Sequence, residues 1–469
     1  MSLHGLPTDI ILDIVDLLEL PDPISLLLTC SSFYALSKER SFWISILETT
    51  RKKSAISCPL NADLSQYTLE KLKAMAFSWL SLQENWNRPF PQIVQPAAPA
   101  LLPGPAQIIF TVQGTDILVL TENTSVFTWD ARLATPFPFP AIETGGHMTQ
   151  VSGPSEAPGV CSFAISVPQT TDTSISRRYI LTIKHAAGKA ISIASEFTEN
   201  PTPPDSHFES LFVAEDMVGL GTIVAMNQKK DCVITLGSGK NCVPDSSVLN
   251  IHRSVSGNDL MVSFPYKGHL YILIENGESV QVQHISQRNL CSGRCEESGL
   301  YDSEIDSSYI HNVGSAAYCY MVPSTPFYGI AAAFVRLQWT DAFTRITSFT
   351  FLPNTATHAS DDGVLSPLAF DSPCVSAYLP GELANISLIW LDHSGFNVVA
   401  VIQPYGTGLD PLKLVLVRYH PETRSTSSHI LTVPDTIDLE LVISVCVDDT
   451  AGAVYLVDTG GQLWTLRYV

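Results

Sequence analysis

The strongest constraint on this chain is a change of period. Up to about residue 90 apolar residues return every three or four positions; past residue 105 that period fades, and short β-branched and aromatic runs replace it for more than 360 residues. Such runs fall at 107–112, 116–121, 126–129, 179–184, 260–264, 270–275, 386–391, 398–402, 412–419 and 454–457. Four stretches share one plan of strand, polar turn and strand: 114–130, 268–285, 385–402 and 453–466. Recurrent hairpins in an all-β region this long exceed one ordinary sandwich. At roughly 40–50 residues per four-stranded blade they predict a β-propeller of about seven blades, with a large β-sandwich as the alternative. Closure is expected to set 107–112 beside the final hairpin, so that no strand edge stays unpaired. Trp129-Asp130 occurs once, without the regular Gly-His and Trp-Asp spacing of the WD repeat.

The helical part begins with Ile10, Ile11, Ile14, Leu17 and Leu18 alternating with Asp9, Asp13, Asp16 and Glu19, the pattern of an amphipathic helix with Thr8 as its N-cap. Leu20-Pro21 breaks it. Asp22 then offers an N-cap and Pro23 a first helical residue for a second helix through Ile24, Leu27 and Leu28. Short helical signals follow at Phe33, Tyr34 and Leu36 and at Phe42, Trp43, Ile46 and Leu47. A bundle of some fifty residues has too much surface for its volume to hide all these apolar groups, so part of that surface must meet a partner or another domain. A longer helix over about 68–87, capped by Thr68, carries Leu69, Leu72, Met75, Ala76, Trp79, Leu80 and Trp86 on one broad face. Asn87-Arg88-Pro89 ends it, and the Pro-rich stretch 96–105 reads as a semi-rigid connector. The predicted organisation is therefore a helical domain at 1–52, a linker at 53–105 that braces it, and an all-β domain at 106–469.

Leu6-Pro7-Thr8-Asp9-Ile10-Ile11, then Ile14, Leu17 and Leu18, Asp22, Ser25-Leu26, Thr29-Cys30, Phe33 and Phe42-Trp43 resemble the F-box motif in order and spacing over residues 4–50. The all-β region is similar to the divergent propellers of fungal F-box proteins. Pro23 stands where the family usually has Leu, and Phe33 replaces its commoner Trp. The resemblance implies docking on the Skp adaptor, and through it on a cullin-RING ubiquitin ligase. The apolar face would be Leu6, Pro7, Ile10, Ile14, Leu26, Leu27 and Cys30. The propeller would then hold a protein substrate whose identity the sequence does not reveal. The family also implies a receptor with no catalytic residue and no cofactor; the alternatives are an F-box scaffold acting outside a ligase and a propeller-fold enzyme with a helical appendage, which would need acids or histidines converging on the central channel.

Charge supports a protein partner over nucleic acid or membrane. The 46 acidic against 26 basic residues give a net charge of -20, which repels phosphate backbones and anionic lipid. No apolar run reaches membrane-spanning length and the start lacks a secretory signal, so a cytoplasmic or nuclear location is expected. Ten scattered cysteines read as reduced and mostly buried. Gly237-Ser-Gly-Lys240 lacks the Ser or Thr of a phosphate loop, since Asn241 follows; Cys291 and Cys295 lack a second ligand pair, and Cys232 with Cys242 has the wrong separation. His147, His185, His269, His311 and His393 stand in isolated contexts, and Asp361-Asp362 and Asp448-Asp449 read as turn residues.

Overall fold

A computed structural model describes residues 6–15, 17–18, 20–51, 54, 56–59, 62–94, 99–168, 175–186, 188–201, 206–213, 217–226, 229–238, 247–251, 260–266, 269–276, 279–286, 301–302, 307–312, 316–320, 330–339, 345–353, 355–356, 368–369, 374–378, 384–392, 394–404 and 411–469. Helices α1 (Thr8–Val15), α2 (Pro21–Leu27), α3 (Ser31–Leu36), α4 (Arg40–Arg51) and α5 (Leu69–Trp86) precede an all-β region. Helix α2 starts two residues before its expected position. Pro21 and Pro23 both fit in its first turn, where no backbone N–H is needed, and Leu20 rather than Asp22 becomes the N-cap. Helix α5 matches its expected span, with the Thr68 hydroxyl accepting from the Lys71 N–H at 3.3 Å.

Phe42, Trp43, Ile46 and Leu47 of α4 are buried against Leu72, Met75 and Ala76 of α5. The Trp43 indole N–H donates to the Ser37 carbonyl at 2.9 Å, so the largest core side chain leaves no polar group unmet. Farther along α5 the face changes client: Leu82 and Trp86 pack into the core of the last strands, with Val399, Val454 and Leu466. One helix thus belongs to two cores, which is the bracing expected of it.

The β region is a propeller. Its strands form separate four- and five-stranded sheets of mostly sequence-adjacent antiparallel strands. Innermost strands of successive sheets lie side by side: β2 (Gln107–Thr111) against Val442–Asp448, that strand against Ala384–Leu391, and Ser206–Val213 against both Val160–Pro168 and Leu260–Tyr266. This ring replaces the sandwich alternative, because sheets meet along a common axis rather than as two stacked layers. All four expected hairpins form as antiparallel pairs, including β3 (Ile117–Glu122) with β4 (Ser125–Asp130) and Ala453–Asp458 with Gln462–Arg467. Central strands such as Asn397–Pro404 and Lys413–His420 are buried along nearly their whole length, since each sheet is covered on both faces by its neighbours.

Side-chain packing is described for five blades, built from residues 107–143, 150–201, 260–312, 384–430 and 442–467, where about seven were expected. Residues 206–251 and 316–378 form further sheets, described chiefly by strand pairing. Within the blade at 150–201, Ile175–Ala186 and Lys189–Pro201 run for 12 and 13 residues, about twice the mean strand length.

Closure also differs from expectation. The hydrogen-bonded clasp is β1 (Ala100–Leu101), drawn from the Pro-rich connector, which pairs with Gln462–Arg467 through Ala100 opposite Leu463. Leu102 N–H to the Gly461 carbonyl at 2.8 Å and Val94 N–H to the Arg467 carbonyl at 2.8 Å extend it. Strand β2 lies instead beside Val442–Asp448 in the interior, with the Ile108 N–H donating to Ser444 Oγ at 3.0 Å. An outer position suits a short strand with a Pro-rich approach, because it needs hydrogen bonds on one side only.

Candidate functional site

The seven residues expected on the docking face divide into three groups. Pro7, Ile10 and Cys30 are exposed, Ile10 by 44%. Leu6, Ile14 and Leu26 are half-buried, Leu6 and Leu26 against the bundle core. Leu27, at 5% exposure, belongs to the bundle's own core, and Leu28, 78% exposed, takes the outward position beside it. Leu27 is the last residue of α2, and Leu28 is its C-cap. Leu17 at 82% and Tyr34 at 56% add apolar surface on the same small module. The bundle therefore closes its core around Phe42 and Trp43 and still leaves large apolar side chains in water. Each would contribute roughly 1.5–3 kcal/mol if fully covered.

Where the module meets the propeller, the contact is close. Gly114, at φ +67° in the turn between β2 and β3, lies so near Cys58 that an added Cβ would stand 2.1 Å from its carbonyl carbon. Asn85 of α5 is buried and donates to the carbonyls of Gln92 at 2.6 Å and Tyr468 at 2.7 Å, while its own Oδ1 accepts from the Gln92 N–H at 2.9 Å. One amide thus ties the helix, the connector and the chain's end.

Beside it Arg418, 7% exposed, leaves the otherwise apolar strand Lys413–His420 and reaches up to α5. Its Nε donates to Asn397 Oδ1 at 3.3 Å, its Nη1 to Asn87 Oδ1 at 2.6 Å and its Nη2 to Gln83 Oε1, and the guanidinium lies 5.6 Å from the Trp86 ring centre. Burial pulls its pKa down to about 10. Below it Asp392 accepts from Asn397 Nδ2 at 2.7 Å and from the Ser394 hydroxyl at 2.9 Å. Burial first, and then the nearby Asp392, hold the Asp449 carboxyl well above the usual carboxylate range. Ser54, Gln83, Trp86, Asn397, Arg418 and Asp449 border a cavity of about 120 Å³ at this junction. The pattern reading missed this group. Its one signal was an arginine inside the run Leu-Val-Leu-Val-Arg-Tyr at 414–419, a charge where a two-sided strand has no solvent face.

The remaining sequence candidates are placed as follows. Asp448 makes a turn, its Oδ1 accepting from the Thr450 N–H and hydroxyl and the Ala451 N–H. His147 is exposed and His185 buried, and the His269 and His284 rings bond at 2.8 Å. Gly237 and Ser238 end a strand, and Cys232 lies within it. His393, Lys240, Asn241, Cys242, Cys291, Cys295, Asp361 and Asp362 lie outside the described residues. Among the described residues no three His, Cys, Asp or Glu side chains are grouped to hold a metal, and no helix is long and apolar enough to cross a membrane.

No protein-family model matches the chain, and no curated protein matches it in sequence. Solved structures resemble it in outline. The WD40 domain of SCAP from fission yeast aligns over 78% of this chain and 84% of its own at 12% identity, with a TM-score of 0.37. Drosophila Semaphorin 2a aligns over 81% and 76% at 8% identity and a TM-score of 0.43, and Kluyveromyces lactis Hsv2 over 69% and 85% at 8% and 0.33. The propeller assignment rests on the strand pairing above, independently of these likenesses.

Proposed function

We propose that this chain is an F-box type substrate receptor of a Skp-cullin ubiquitin ligase. In this reading the N-terminal bundle docks on the Skp adaptor through Leu6, Pro7, Ile10, Ile14, Leu26, Leu28 and Cys30. The observation that carries the reading is the apolar surface left on α1 to α3 after the core has closed, on a stretch whose sequence resembles the F-box motif. The propeller holds the protein to be ubiquitylated. Helix α5, shared between the two cores, sets the distance from adaptor to substrate. The receptor works inside the cell, in the cytoplasm or nucleus, and binds and positions without carrying out chemistry itself.

Co-purification with the Skp adaptor tests this. The wild-type chain retains the adaptor, and Ile10→Asp with Leu28→Asp loses it while circular dichroism stays unchanged. Retention by the folded double variant refutes the docking face. Adaptor without cullin in the purified complex would replace the ligase reading with that of an F-box scaffold.

A further inference from the structure

Arg418 is a buried cation whose hydrogen-bond partners are all neutral. They are the side-chain oxygens of Asn397, Asn87 and Gln83, and none of the ion pairs among the described residues includes it. Burying a charge is costly unless an opposite charge or a full set of hydrogen bonds offsets it, and the Asp392 and Asp449 carboxyls act on this one through space without bonding it. A guanidinium has five N–H donors, and these three bonds leave two of them unused. A second donor stands next to it: the Trp86 indole Nε1–H is buried and has no partner, in a residue 1% exposed. Both side chains border the junction cavity of about 120 Å³, together with Ser54, Gln83, Asn397 and Asp449.

We infer that this cavity is a binding site for one small oxyanion, of the phosphate or carboxylate kind, held by Arg418 and Trp86 between α5 and the propeller. Its size admits a small anion, since the space of about 120 Å³ is several times what one water needs. The donors fit as well, because guanidinium and indole N–H groups both give and neither accepts. Burial and the neighbouring Asp392 hold the Asp449 carboxyl that borders the cavity well above the usual carboxylate range, which lessens its repulsion of an anion. The net charge of -20 opposes anions at long range, but that field is screened within about 10 Å at 0.1 M salt, whereas the buried guanidinium acts at contact. A bound anion would add bonds between helix and blade and stiffen the joint that sets domain spacing. This site stands independently of the F-box reading.

The test is isothermal titration of the full-length chain with inorganic phosphate and, separately, with acetate, against chloride at matched pH and ionic strength. One saturable site per chain is expected for phosphate or acetate and none for chloride; the better ligand tells tetrahedral from planar oxyanion. Arg418→Gln abolishes the binding. Trp86→Phe keeps the ring packing, removes one donor and weakens binding about tenfold. Equal affinity in wild type and Arg418→Gln overturns the inference, as does the lack of saturable response to both anions. If Arg418→Gln does not fold, Trp86→Phe decides the matter, and unchanged affinity in that variant overturns it.

Discussion

Leu27 and Leu28 are neighbours in sequence with opposite fates, and charging each in turn separates docking from folding. Leu28 is 78% exposed. Covering a leucine completely is worth roughly 1.5–3 kcal/mol, so an adaptor that covers this one gains about 2 kcal/mol, some 30-fold in Kd at about 1.4 kcal/mol per tenfold. Leu28→Asp should lose at least that, since the new carboxylate would also need desolvation, while the free chain changes by no more than about 0.5 kcal/mol. Leu27, at 5% exposure, sits against the bundle core. Leu27→Asp loses that burial and puts a charge in its place, a cost of about 4 kcal/mol or more, enough to melt the bundle. Titration against the Skp adaptor by surface plasmon resonance, with urea melts of the free variants, reads both numbers. The reasoning fails if Leu28→Asp binds within threefold of wild type, or if it is Leu28→Asp rather than Leu27→Asp that lowers the melting transition.

Three other substitutions probe the junction and the propeller. Gly114→Ala places a Cβ against the Cys58 carbonyl at positive φ, so we expect a loss of about 2 kcal/mol or more and rapid proteolysis between bundle and propeller; a wild-type cleavage rate contradicts the close docking. Asn85→Ala strips three hydrogen bonds and leaves the Gln92 and Tyr468 carbonyls and the Gln92 N–H unmet, a loss of about 3 kcal/mol in urea titration, and under 1 kcal/mol would refute the clasp. Burial raises the Glu156 pKa from 4.5 to about 8, although its carboxylate accepts from the Gln113 N–H. Between those values the folded chain keeps a proton that the unfolded chain has released, so this group makes stability fall as pH rises toward 8. Glu156→Gln keeps the acceptor and should flatten the decline, and an unaltered profile of melting temperature against pH removes the assignment.

Local pattern determined a good deal here. The α5 span and its Thr68 cap, all four expected hairpins and the change from helices to blades each follow from interactions within a few residues, which periodicity and turn chemistry record directly. The outward placement of Ile10 on α1 was legible for the same reason. The burial of Leu27 was not, because adjacent leucines at the end of a short helix are equally apolar and only the packing of α2 on the bundle core separates them.

By itself the sequence determined that this chain is a small helical module joined by a braced helix to a β-propeller, because those choices depend on periods of 3.6 and 2 that neighbouring residues set among themselves. Only the tertiary structure decided that residues 100–101 clasp the last blade, that Leu28 faces outward, and that Arg418 meets Gln83, Asn87 and Trp86 more than 300 positions away. Such meetings follow from how the ring closes and where the helices land on it, and no period along the chain encodes a contact between its ends.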